Sequence, residues 1–142
     1  MAVQFTNIPV QSVDAGAGIL FAGGGCDNRR GWVYHRDGSG VFTLKGANGQ
    51  CRASYLVRFD ANVAIATGET VEPITVAITY DGEVLGNVAT VTPAAVGDVW
   101  HVTNSVLIDI PCGCCATIGV RNISDTATID VTGANLILDR IA

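Results

Sequence analysis

The chain has 142 residues, the size of one domain, and 49% of them are apolar against 15% charged. A chain this apolar buries enough surface to offset its conformational entropy, so disorder is excluded. Thirteen acidic residues outnumber eight basic ones, and Lys45 is the single lysine. The resulting net charge of −5 argues against a nucleic-acid phosphate backbone as partner, because that binding needs clustered cations.

Val, Ile and Thr make up nearly a third of the chain, alongside 17 glycines. β-Branched residues lose rotamer freedom in a helix and fit a pleated, half-buried surface, so the composition points to an all-β fold. The N-terminus has no basic stretch, and Ile19-Leu20-Phe21-Ala22 is too short for the core of an export leader. Nowhere does the chain approach the roughly 20 apolar residues of a membrane span, so no membrane insertion is expected. The expectation is a complete product, made in a cytoplasm and not exported by the general route. Five cysteines, an odd number, argue against a secreted disulfide scaffold.

Residues 1–14 read as an edge strand or an arm, ahead of one domain over 15–142. Gly31–Arg36 is a short strand closed by Asp37-Gly38-Ser39-Gly40, and Val41–Lys45 is another closed by Gly46-Ala47-Asn48-Gly49. Cys51–Phe59 alternates, with Ala53, Tyr55, Val57 and Phe59 on one face and Arg52, Ser54, Leu56 and Arg58 on the other. Ile74–Tyr80 alternates without a break into Asp81-Gly82, the strongest hairpin signal in the chain, and Val84–Thr92 is its partner. Val99–Ile110, Ala116–Ile123 and Ala127–Ile141, the last interrupted at Gly133, complete about ten strands of a sandwich or jelly roll. No segment carries a sustained helical period; Ala94-Ala95-Val96 forms one turn at most.

Several motifs invite a chemical reading. Cys112, Cys114 and Cys115, with Cys51 or Cys26 brought near by folding, are thiolate candidates for a metal site. Their spacing matches no zinc ribbon or finger, and small buried residues at a strand start, with one disulfide to Cys51 as an option, outweigh the metal reading. His35 and His101 each lie inside aromatic and β-branched runs, where packing outweighs acid–base work, and no nucleophile elbow is present. Gly23-Gly24-Gly25 lacks the Lys-Ser/Thr of a phosphate loop. Asp27, Asp37, Asp60 and Asp81 flank Gly, Asn or Ala, and a turn role outweighs calcium binding. Arg29, Arg30, Arg52 and Arg58 read as surface ion-pair partners. No enzyme and no cofactor is expected. Trp32, Tyr34 and Trp100 are the aromatic candidates for binding a glycan or a host-surface protein.

The order of elements resembles the C1q/TNF-like jelly roll, in its bacterial and phage branch, which includes the C-terminal domains of collagen-like exosporium glycoproteins. The residues that carry the resemblance are Ala15–Phe21, Gly40–Gly46, Tyr55–Phe59, the hairpin at Asp81-Gly82-Glu83, Gly119–Asn122 and Ala134–Ile141. It covers nearly the whole chain from Ala15 onward. The collagen-like stalk of the spore-surface relatives is absent, and the clustered cysteines lie outside the general pattern. The resemblance implies a homotrimer packed about a threefold axis. It also implies a structural virion protein of a bacteriophage, located in the virion as a capsid-decoration or head-fibre protein bound to capsid or other virion proteins. The alternatives it leaves are a receptor- or glycan-binding appendage and a bacterial spore- or cell-surface protein. Assembly has an independent physical motive: Ile74–Thr79, Val106-Leu107-Ile108 and Leu136-Ile137-Leu138 are apolar or neutral on both faces, and a two-layer sandwich covers only one.

Overall fold

The alternating runs become ten strands. In a computed structural model of the protein, residues 2–22, 32–45, 52–111 and 115–141 are described, all but the side chains of Arg52 and Asn87. The strands are β1 (Ala2–Asn7), β2 (Gln11–Val13), β3 (Val33–His35), β4 (Phe42–Lys45), β5 (Arg52–Ile65), β6 (Ile74–Tyr80), β7 (Glu83–Val91), β8 (Trp100–Pro111), β9 (Cys115–Asn122) and β10 (Ile129–Arg140). There is no helix among the described residues, hence none long and apolar enough to cross a membrane.

Two antiparallel sheets form the layers. Sheet A has the order β1-β10-β5-β8, with β2 also on β10; sheet B has the order β3-β4-β9-β6-β7. β1 and β2 lie end to end along one edge of β10, opposite Ala134–Asp139 and Ile129–Val131 respectively. Between them the ladder shifts at Thr132/Asn135, and the Gly133 N–H donates to the Ile8 carbonyl at 3.2 Å. Residues 2–13 are thus part of sheet A, and Val3, Phe5 and Val13 contribute to the core.

The Asp81-Gly82 hairpin forms as its sequence predicts. Asp81 (φ 51°) and Gly82 (φ 84°) both take positive φ, the geometry of a type I′ turn, whose twist suits the flanking strands. The Asp81 carboxylate then accepts from the Thr117 N–H at 2.8 Å and the Thr117 hydroxyl at 3.2 Å, fastening the turn to β9. One turn expectation is overturned. Asp60-Ala61-Asn62 lies inside β5, because Ala61, Val63 and Ile65 continue the inward alternation and Asn62 is registered opposite His101.

The core sits between the sheets. Phe5, Phe21, Phe42 and Phe59 meet edge to face, with ring centroids 4.6 to 6.3 Å apart, and all are buried. Burying each such side chain contributes about 1.5–3 kcal/mol. Polar side chains also join the layers. Asn122, fully buried on β9, donates through Nδ2 to the carbonyls of Val13 and Ala127 (both 3.1 Å) and accepts from the Ser124 N–H at 3.1 Å. Nearby, the Glu72 carboxylate accepts from the N–H groups of Thr126 and Ala127, pinning the β6 entry to the loop before β10.

Candidate functional site

Among the described residues, the side chains singled out in the sequence do not converge. Cys115 opens β9 with an exposed free thiol, opposite Lys45 on β4. Cys26, Cys51, Cys112 and Cys114 lie outside the described residues, as do Gly23-Gly24-Gly25, Asp27, Arg29 and Arg30. Among the described residues, no three His, Cys, Asp or Glu side chains gather as a metal site would require. Trp32 is 3% exposed and its ring tilts onto Tyr55 at 5.5 Å, so it belongs to the core and is not presented to a glycan. Tyr34 is 58% exposed on sheet B. Trp100 is 45% exposed at the start of β8 in sheet A, its Nε1–H donating to Asp98 at 2.9 Å. These two rings are on different layers.

The histidines are separated as well. His35 is buried, stacked on Phe42 at 4.3 Å and edge-on to Phe5 at 4.7 Å, with Nε2 2.8 Å from the Ser39 carbonyl. His101 is on the outside of sheet A, with Nδ1 3.1 Å from the Asn62 side-chain oxygen.

What the strands do assemble is two outer faces. On sheet A, cross-strand register places Leu107 opposite Leu56 and Arg58 opposite Ile137, giving an apolar patch in which Leu107 is 66% exposed. Around it stand Asp60, Asp109, Asp130 and Asp139 with the cation Arg58. The outer face of sheet B has Thr, Val, Ala and Gly at its outward positions, and its charged strand residues are Lys45 and Arg121. There a cleft of about 390 Å³ opens where the 16–20 segment runs beside β9.

No family model matches the chain, and no curated protein sequence matches it. Solved structures do. The globular domain of zebrafish complement 1qA superposes with a TM-score of 0.68 at 10% identity, over 99% of this chain and 97% of that one. Eiger TNF from S. frugiperda gives 0.70 at 9% identity over 100% and 92%, and murine APRIL gives 0.63 at 9% identity over 99% and 100%. The fold is the C1q/TNF-like jelly roll.

Within this jelly roll the motifs that suggested it fall on framework positions. Tyr55–Phe59 is the middle of β5, Gly119–Asn122 closes β9, and Ala134–Ile141 carries β10 to the far edge. Gly40 and Gly119 mark where backbones touch: a Cβ on Gly40 would stand 2.7 Å from the Ile19 carbonyl oxygen, and one on Gly119 would stand 3.0 Å from that of Gly40. The buried Tyr55 hydroxyl donates to the Lys45 carbonyl at 2.5 Å. Burial raises the Tyr55 phenol above its ordinary pKa, opposed by the Arg140 guanidinium and aided by the Cys115 thiol. The sheet A patch was legible in the sequence as strands apolar on both faces. The sheet B cleft was not: Gly16, Gly40, Gly82 and Gly119 come from separate loops and strands, and no local spacing connects them to Arg121.

Proposed function

We propose that the protein is a non-enzymatic structural component of a bacteriophage particle, a homotrimer that decorates a capsid or forms part of a head fibre. The observation that carries the assembly is the outer face of sheet A, where Leu107, Leu56 and Ile137 form an apolar patch on a jelly-roll domain. A patch of this kind gains stability when covered, and a closed threefold ring covers it with a different surface of the neighbouring copy, the three patches meeting near the axis. The virion setting is supported by the resemblance of the motif order to phage and spore-surface jelly rolls.

Light scattering at micromolar concentration tests the assembly. Three times the 14.7 kDa chain mass is expected for the protein, and the mass of one chain for Leu107→Asp. A monomeric parent protein sinks the trimer. Mass spectrometry of purified particles tests the setting, with the chain expected in stoichiometric amounts among the structural proteins; its absence from every particle fraction sinks the virion role.

A further inference from the structure

The outer face of sheet B has a charge pattern that differs from that of sheet A. The protein carries −5 overall, and Asp60, Asp109, Asp130 and Asp139 stand at outward positions of sheet A. On sheet B the outward positions of β4, β6 and β9 include Lys45 and Arg121 and no acid, and the exposed acid Glu83 stands at the hairpin end of β7. Asp81, at the margin of this face, has its carboxylate engaged by Thr117.

The cleft lies on this face. Its volume of about 390 Å³ falls within the roughly 300–1,000 Å³ of small-molecule sites. Arg121, half-buried, is the one charged side chain among the described residues that line it. The floor is backbone, kept open because side chains are excluded at Gly40 and Gly119. The rim is Leu20 and Val41, exposed by 50% and 54%. Tyr34, Thr43 and Thr117 are successive cross-strand neighbours, so the exposed Tyr34 ring stands two strands, about 10 Å, from the cleft wall at Thr117.

We propose that this cleft binds a carboxylate-bearing sugar, a uronic acid unit of an acidic glycan, with the Arg121 guanidinium on the carboxylate. A planar guanidinium pairs both carboxylate oxygens at once, which a point-charge cation does not. Leu20 and Val41 meet the C–H faces of the sugar ring. The backbone floor meets its hydroxyls. A neighbouring sugar reaches Tyr34, whose ring offers an apolar face for stacking. The inference is independent of both the trimer and the virion setting, since it uses only the face that sheet A does not.

Calorimetric titration of the whole protein with tetragalacturonate tests it, beside galacturonate, cellotetraose and a tetraglutamate peptide. Tetragalacturonate binds and cellotetraose does not. Arg121→Gln weakens binding by about tenfold or more, as loss of a charge-assisted pair requires. Arg121→Lys falls between the two, and Arg58→Gln on the opposite face leaves affinity unchanged. Tyr34→Ala weakens tetragalacturonate and leaves galacturonate unaffected. Thermal melts of each variant confirm that the fold is kept. Three results overturn the proposal: no heat with tetragalacturonate up to about 10 mM, equal affinity for tetraglutamate, or unchanged affinity in a folded Arg121→Gln protein.

Discussion

The two outer faces of this jelly roll are built from the same strand alternation and carry different surfaces. Sheet A shows an apolar patch, Leu107 with Leu56 and Ile137, set among four aspartates and one arginine. Sheet B shows a neutral lawn of Thr, Val and Gly with two cations and a backbone-floored cleft. The first mixes apolar and charged groups row by row: Leu107 on the edge strand β8 faces Leu56, which faces Asp139, and Arg58 faces Ile137. The second has its exposed apolar strand residues scattered, Tyr34 on β3 and Val84 and Val88 on β7, with Ala77 and Thr79 buried between them. Under the two proposals, assembly and recognition fall on opposite layers, one outward face to each.

The contrast breaks most decisively through Asn122, which connects the layers. Replacing it with Leu leaves two buried carbonyls and one N–H without their partner, and about 2–4 kcal/mol of stability is lost, read as a drop in denaturant midpoint with unchanged slope. Gly40→Ala comes next. Its Cβ meets backbone at 2.7 Å, so about 1–3 kcal/mol is lost and the cleft is reshaped, while the oligomer mass stays the same. If Gly40→Ala altered assembly instead, the two faces would not be separate.

Tyr55→Phe removes one hydrogen bond and costs about 1 kcal/mol at neutral pH. Tyr55 also sets an alkaline limit. Its folded pKa is raised above the unfolded value of 10.0, so its contribution is fully present below pH 10 and is lost as pH rises through the folded value. Urea melts from pH 9 upward show a decline that is shallower in the Tyr55→Phe protein. The smallest effect is expected from Val88→Asp on sheet B, where Val88 is already 41% exposed: stability changes by about 0.5 kcal/mol or less and the oligomer mass is unchanged. Dissociation by Val88→Asp would move the assembly surface to the wrong layer.

Much of this was written locally. The Asp81-Gly82 turn, the alternation of β5 and β6 and the break at Gly133 each follow from neighbouring residues, and the chain places them as expected. Asp60-Ala61-Asn62 misled because turn-forming residues also stand on the wet side of a long strand, and only the burial of Ala61, Val63 and Ile65 distinguishes the two. Trp32 misled for a related reason. An aromatic residue in a β-branched run has two faces open to it, and the choice is made by Tyr55, distant in sequence. The cleft around Arg121 depends on four separate chain segments meeting, which no window of sequence records.

The first and last strands lie side by side, with Ala2 opposite Asp139 in the ladder. Sheet A is therefore completed only when the chain has closed a loop of nearly its own length, and such non-local pairing places folding in the slow range of about milliseconds to seconds. The same adjacency offers a remedy. A short linker between the ends makes β1 and β10 neighbours in sequence, and a permuted chain opened at an exposed loop begins with the pairing that the natural order leaves until late.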